Sequence, residues 1–389
     1  MSDVLLDSFL EDTHRQFYAN CRKFAEAEIA PHAFQWDEEE GFPRELYEKA
    51  GAAGFLGVNF PPAYGGAGGD VFHVLLQIEA LMWGGCTGVL ASLNSLDIAL
   101  PPILHLGTEA QKQRFIPPVL AGRKLIALAI TEPHAGSDVA AIRTRAVRDG
   151  EHYVLNGSKT FITGGSRADL VCVLARTSNE PHRGLTFFVV EKGTRGFSIS
   201  RALKKMGWRA SDTATLSFED CQVPVENRLG DEGSGFKATM LNFQMERLIL
   251  AAYGHASAEV ALTDAERYAQ ERSAFGGPLL ASQVVRHKLA HMATLMRAAK
   301  CFNYVVADNV RRGGSVIEQV CEAKNFSSQV AQDVCYEAVQ LFGGMGYMRE
   351  TRVERLYRDV RVLPIGGGTS EIMNEIIAKT RGYGQVRQA

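Results

Sequence analysis

No Cys-x-x-Cys pair occurs among the seven cysteines (21, 86, 172, 221, 301, 321 and 335), so neither a disulfide framework nor a cysteine zinc site is indicated. Their scatter fits a reducing, intracellular setting. No G-x-G-x-x-G follows a strand pattern and no Walker A sequence occurs, so any nucleotide cofactor must be held by another architecture. The absence of G-x-S-x-G leaves a hydrolase triad unsupported. His287 and His291 stand one helical turn apart, but position 288 is Lys where a zincin has glutamate, so they read as two exposed or capping histidines. No apolar run reaches about 18 residues, and no membrane span is expected. Charge of one sign is not in excess either. A net charge of −2 gives no reason to expect nucleic acid or an anionic membrane as partner. The opening Met-Ser-Asp-Val-Leu-Leu-Asp is acidic, with no apolar core of signal-peptide length, and a bacterial-type cytoplasmic location is expected.

What is present is a chain of 389 residues, 46% hydrophobic and 22% charged, enough for two or three domains. Residues 8–28, 71–83 and 109–120 carry apolar side chains three and four apart, the helical period. From 125 to 218 the period shortens. Segments 125–131, 152–163, 170–176, 185–191 and 213–218 are rich in Val, Ile, Phe and Thr and read as strands of a small antiparallel β domain. The helical period returns at 236–271, 280–311, 315–342 and 370–380. The expected fold is therefore α+β and mainly helical: an N-terminal helical domain (1–121), a central antiparallel β domain (122–232) and a C-terminal helical domain (233–389). Strands do not alternate with helices, which argues against a doubly wound sheet.

The most informative loop is Pro364-Ile365-Gly366-Gly367-Gly368-Thr369-Ser370-Glu371, which runs into a helical pattern. Glycines allow close backbone approach to a ligand, Thr369 or Ser370 suits an N-cap, and Glu371 suits the positive helix end. Other distinctive blocks are Thr131-Glu132-Pro133-His134-Ala135-Gly136-Ser137-Asp138, Asn156 to Gly165, Met206 to Thr213, Glu271 to Gly276 and Gln340 to Tyr347.

Taken together, these blocks resemble the acyl-CoA dehydrogenase family in order and spacing over essentially the whole chain. The resemblance implies a C-terminal four-helix bundle and FAD as cofactor, held between the β domain, the C-terminal helices and a neighbouring subunit. Leu128, Ile130, Thr131 and Ser137 match the loop against the flavin ring, with Ser137 also near the acyl-CoA. Phe161 stands where many relatives have tryptophan, and Thr163 matches a flavin-contacting threonine. Arg272, Phe275 and Gln283 match positions that reach the adenine-diphosphate half of FAD from the partner subunit. Gln340, Leu341, Gly343 and Gly344 match a segment at the same half, and Thr369 and Glu371 the last flavin contacts.

The chemistry implied is α,β-dehydrogenation of an acyl thioester. Many relatives carry the base as a glutamate directly before Gly-Thr in the C-terminal loop. Here that position is Gly367, which keeps only a backbone donor for the thioester oxygen. A second branch, of isovaleryl- and long-chain type, carries its glutamate on a helix in a pattern like Phe243-Gln244-Met245-Glu246-Arg247-Leu248, so Glu246 is the candidate base. Phe243, Arg247 and Gly368 are substrate-side candidates, Arg247 being open to a structural salt bridge instead. The glycines are expected to leave room beside Cα and Cβ, favouring a long or methyl-branched chain. Pro101 and Pro102 are expected to bend a helix of the acyl cavity. The resemblance also implies an electron-transfer flavoprotein as acceptor and a homotetramer built from two dimers. An acyl-CoA oxidase, a flavin monooxygenase or nitroalkane-oxidase-like relative, and a silent FAD-binding scaffold remain as alternatives.

Overall fold

The computed structural model describes residues 5–384. Eight helices build the first third: α1 (Asp12–Phe24), α2 (Ala33–Glu38), α3 (Glu45–Ala52), α4 (Val71–Met82), α5 (Thr87–Leu93), α6 (Leu96–Ala99), α7 (Pro101–Leu106) and α8 (Glu109–Leu120). Their boundaries follow local chemistry. Asp70 caps α4, accepting from the Phe72 and His73 N–H groups at 3.0 and 3.2 Å. Thr108 and Gln111 form a reciprocal capping box on α8.

Pro101 and Pro102 open α7 and do not bend a longer helix. Their missing N–H groups fall where a helix has none to satisfy. The sequence expectation also changes at Thr87–Leu106. These 20 residues are long and apolar enough to cross a membrane, but most of them are buried inside the fold and the segment breaks into α5, α6 and α7.

The sheet holds β1 (Ile126–Ala129), β2 (Arg145–Asp149), β3 (His152–Thr163), β4 (Leu170–Arg176), β5 (Leu185–Glu191), β6 (Phe197–Ala202), β7 (Thr213–Pro224) and β8 (Arg228–Leu229). Its order is β6-β7-β3-β2-β4-β5-β8, with β1 pairing on β4. Most pairings are antiparallel as expected, but β1 and β2 each run parallel to β4. β2 and β6 are absent from the sequence expectation. Both expose nearly every side chain, so they lack the alternating apolar pattern by which a strand is recognised.

Helices α9 (Gly235–Glu271), α10 (Gln283–Arg311) and α11 (Ile317–Phe342) follow, with the small strands β9 (Ser273–Ala274) and β10 (Gly277–Pro278) between the first two. Helices α12 (Arg352–Asp359) and α13 (Ser370–Thr380) close the chain. α9, α10 and α11 pack on one another and α13 packs on α11, giving a four-helix bundle.

A buried ionic network locks α4 to this bundle. Glu79 accepts from His255 at 2.8 Å and pairs with Lys300 at 2.9 Å. Burial alone would raise the Glu79 carboxyl, but the Lys300 ammonium and the His255 contact outweigh it and hold it well below the usual range. The apolar core is continuous from the N-terminal helices into the bundle, while the sheet carries a second, smaller core.

Candidate active site

Glu246 and the glycine loop meet in space. A Cβ on Gly367 would stand 3.3 Å from Glu246 Oε1 and 2.4 Å from Leu250 Cδ1. Gly367 and Gly368 have φ of 63° and 96°, left-handed values that glycine adopts without a steric penalty. Within the loop the Gly366 N–H bonds the Val362 carbonyl at 2.8 Å, and the Ser370 N–H bonds Pro364 at 3.0 Å. Among the described residues the Gly367 and Gly368 N–H groups take no backbone partner, and of the two Gly367 lies beside the Glu246 carboxylate. Thr369 is the N-cap of α13, its hydroxyl accepting from the Ile372 N–H at 3.3 Å. Glu371 is exposed in the first turn.

The expected open floor is not open. Leu250, one turn beyond Glu246, fills the place a side chain at 367 would take, because α9 approaches the loop closely here. Gly367 and Gly368 therefore fit close contacts, with Leu250 and Met373, and give no extra width, while a Cβ on Gly366 would meet only Val362 at ordinary van der Waals distance.

Glu246 Oε2 is shielded from solvent and has no hydrogen-bond partner. Burial pushes the carboxyl up to about 7, against the opposing pull of Arg247 and Lys324. Lys324, on α11, is absent from the sequence expectation. It is completely buried, and its Nζ donates to the Gly368 carbonyl at 2.6 Å. Burial pushes its ammonium down to about 8, while Glu246 acts in the opposite direction. A lysine on a long helix reads as a solvated charge unless the partner helix is known, so no sequence signal marks it.

Arg247 is buried as well. Its Nη1 donates to Cys321 Sγ at 3.8 Å, its guanidinium lies 5.9 Å from the Phe243 ring centre, and its Nε is buried without a partner. Among the described residues it makes no ion pair, so the salt-bridge alternative is not what the structure holds.

The loop after β1 is anchored by Glu132. Its carboxylate accepts from the Arg143 and Thr144 N–H groups at 2.6 and 2.9 Å and from Lys159 Nζ at 2.8 Å. Lys159 also donates to the Ile130 carbonyl at 2.8 Å. Burial would raise Glu132, but Lys159 and these hydrogen bonds hold it below its usual range. The Thr160 N–H bonds the Thr131 carbonyl at 2.9 Å, which sets the strand carrying Phe161 beside the loop. Leu128 and Thr131 are half-buried and Ser137 is exposed. Ile130 is only 7% exposed, so its side chain belongs to the core and only its backbone borders the loop.

Phe161 sits at a bulge where β3–β7 pairing is interrupted between Lys159 and Ile162. Its φ is 58°, and its ring is 68% exposed. A bulky residue in left-handed backbone is strained, and the bulge turns the ring outward. Thr163 ends the same strand, half-buried. Nearby, Ser166 Oγ and Asp212 Oδ1 are buried without partners, although the Ser166 N–H donates to Asp212 Oδ2 at 2.8 Å. An outward aromatic face on the strand bonded to the Thr131 loop fits the face of a flat ring, as a flavin presents.

A second group lies at the other end of the bundle. Phe275 is fully exposed with φ 53°, and Arg272 and Gln283 are exposed beside it in sequence. Tyr268 stacks on Phe342 at 4.1 Å, holding this region against the segment of Gln340, Leu341, Gly343 and Gly344. Gln340 and both glycines are exposed, and Leu341 is half-buried. Arg272 lies about 39 Å from Glu246 along the helix axis. One chain therefore keeps the two candidate sets apart.

Three family models cover the chain: the acyl-CoA dehydrogenase N-terminal domain over residues 11–123, the middle domain over 127–221 and the C-terminal domain over 233–381. The chain belongs to the acyl-CoA dehydrogenase family, an FAD-dependent oxidoreductase family acting on acyl-CoA substrates. The Sus scrofa long-chain specific acyl-CoA dehydrogenase is 39% identical over 384 residues, covering 97% of this chain and 89% of that protein. The Homo sapiens short-chain specific enzyme is 38% identical over 371 residues, covering 95% and 90%. Among solved structures, a probable acyl CoA dehydrogenase from Mycobacterium abscessus has 47% identity and a TM-score of 0.95, covering 96% of this chain and 100% of that one. A glutaryl-CoA dehydrogenase from Mycobacterium smegmatis in complex with FADH2 has 28% identity and a TM-score of 0.92, covering 97% and 96%.

Proposed function

We propose that Glu246 removes the α proton of a bound acyl-CoA, and that long-chain or methyl-branched acyl groups are its substrates. The observation that carries the base assignment is the convergence of a shielded, unpartnered carboxylate with the loop position of the missing one. Desolvation that lifts a carboxyl toward neutrality improves it as a proton acceptor for a weakly acidic carbon. The free N–H groups of Gly367 and Gly368 supply donors for the thioester oxygen, which becomes more negative as the proton leaves. Bound FAD supplies the acceptor for the β hydrogen. Leu128, Thr131, Phe161 and Thr163 would hold its ring, with Thr369 and Glu371 at the loop end.

The chain-length reading rests on the helix-borne base and on the segment from Val362 to Ile376. Long-chain and short-chain relatives are almost equally similar, so a substrate panel must decide it. Arg272, Phe275 and Gln283 are too far from Glu246 to serve a cofactor at the same chain's base. They fit a neighbouring copy, which is why we read the assembly as at least a dimer and, by resemblance, a tetramer. An electron-transfer flavoprotein is the acceptor in this reading. A solved structure described as the electron transferring flavoprotein of Acidaminococcus fermentans is 38% identical to this chain with a TM-score of 0.92, covering 96% of this chain and 98% of that one.

The test is anaerobic mixing of the FAD-bound protein with straight-chain and methyl-branched acyl-CoAs, following flavin absorbance. Bleaching by long or branched chains is expected. No bleaching by any of them would overturn the dehydrogenase reading, and a preference for butyryl-CoA would overturn the substrate assignment.

A further inference from the structure

The wedge between α9 and β1 is filled by α6. Asn242 Nδ2 donates to the Ile98 carbonyl at 2.8 Å, pinning α6 to α9 one turn before Glu246. α6 also packs on β1, the strand that leads into the Thr131 loop. This corner therefore bounds the space that an acyl chain entering between Glu246 and that loop would occupy.

The corner is not wholly apolar. Asn94, at the end of α5, is 6% exposed, and both its Nδ2 and its Oδ1 are buried without a hydrogen-bond partner. A buried amide with neither group bonded is costly and calls for a missing partner. Asp97 lies one turn further on, its N–H bonded to the Asn94 carbonyl at 3.0 Å. Among the described residues no ion pair or hydrogen bond holds its carboxyl. Burial is the single influence on it and pushes it up to about 7. Its charge acts, after burial itself, on the hydroxyl of Tyr253, which stands on the Glu246 side of α9. Tyr253 is about 10 Å beyond Glu246 along the helix.

We propose that Asn94 and Asp97 form a polar end to the acyl pocket and bind an acyl chain bearing a hydroxyl group several carbons beyond Cβ. A hydroxyl both donates and accepts, matching an amide that offers both and finds neither satisfied. A terminal carboxylate fits less well, because it would meet the Asp97 carboxyl, and among the described residues no cation pairs with that carboxyl. The inference rests on Glu246 being the base, since it takes the pocket to run from that residue. A site built to bond a hydroxyl discriminates against the analogue lacking it more strongly than an apolar pocket discriminates by size.

The experiment uses the FAD-bound protein with octanoyl-CoA, dodecanoyl-CoA and the ω-hydroxyl derivative of each, reading kcat/KM for flavin reduction. The expected result is a preference for one hydroxylated chain of about 10-fold or more over its plain counterpart. That ratio should fall toward one in Asn94→Leu and shrink in Asp97→Asn. FAD content and melting are checked in both variants, and Asp97→Asn keeps the test open if Asn94→Leu does not fold. Equal use of plain and hydroxylated chains would overturn the proposal, and so would a ratio unmoved by either substitution. A wild-type preference for the plain chains would likewise overturn it, ordered water then satisfying Asn94. Failure of all four thioesters to reduce the flavin would instead overturn the dehydrogenase reading.

Discussion

Glu246 Oε1 lies 3.3 Å from the point where a Cβ on Gly367 would stand. Two positions more than a hundred residues apart in sequence thus serve one place in space. A carboxylate can reach it from the α9 helix or from the loop before α13, and in this chain the helix supplies it.

Glu246→Gln should retain FAD and lose flavin reduction by about 100-fold or more, the usual scale for a general base. The wild-type rate should rise with pH through about 7, where the carboxyl loses its proton. Stopped-flow absorbance across pH checks both, and a flat profile would remove Glu246 from its role.

The same substitution should change stability in a pH-dependent way. The folded carboxyl titrates near 7 against an ordinary value of 4.5, so between those values the native state binds more protons than the unfolded chain. Wild-type stability therefore falls as pH rises through that window. Glu246→Gln should melt higher than wild type at about pH 8, with the difference closing toward pH 4.5. Thermal melts at matched FAD content test this, and a gap that does not vary with pH would contradict it.

Lys324→Met removes the donor to the Gly368 carbonyl and a cation that holds the Glu246 carboxyl down. The expected outcome is a pH profile for flavin reduction displaced to higher pH, together with a raised KM as the loop loosens. Lys324→Arg should restore part of the profile but not the loop geometry, since a guanidinium does not fit a point-charge contact. A Met variant with lower rate and an unshifted profile would make Lys324 a packing residue.

Moving the base back to the loop should fail unless Leu250 is cut down. In a Glu246→Gly background, Gly367→Glu alone meets Leu250 Cδ1 at 2.4 Å from its Cβ and needs left-handed backbone, so little reduction is expected. Adding Leu250→Ala should recover measurable reduction. Equal rates with and without the Leu250 change would show that this contact does not govern the exchange.

Glu132→Ala leaves the Lys159 ammonium buried without its partner. Breaking a buried pair in this way costs about 3–5 kcal/mol, so the variant should lose that much stability and release FAD as the Thr131 loop comes loose. Chemical denaturation and flavin fluorescence measure the two effects. A change within about 1 kcal/mol would show that the pair is replaceable.

Much of this protein is legible from its residues. The helices over 236–271, 280–311 and 315–342 appear within a few residues of their expected bounds: α10 and α11 each bury an apolar stripe at the helical period, whereas α9 is buried all round from Arg247 to Ala258 and is legible from its length. Strand β3 is legible from partial alternation and β4 and β5 from short, almost wholly buried runs rich in β-branched and aromatic residues, whereas β2 and β6 bury too little to leave a pattern. Glu246 stood out from its motif and from the glycine at 367. Lys324, Glu132 with Lys159, and the orphaned Asn94 had no such marks. Each is a polar group whose meaning depends on what another element brings against it.

The sequence alone determined the order of helical, strand-rich and helical regions, since periodicity is a local property of the chain, and its resemblance to the family pointed to Glu246 as the candidate base. Only the tertiary structure decided that Leu250 fills the space beside Gly367, that Lys324 grips the loop, and that the prolines at 101 and 102 start a helix. Those outcomes depend on how closely α9, α11 and the loop before α13 approach, and such distances are set by packing of the whole core.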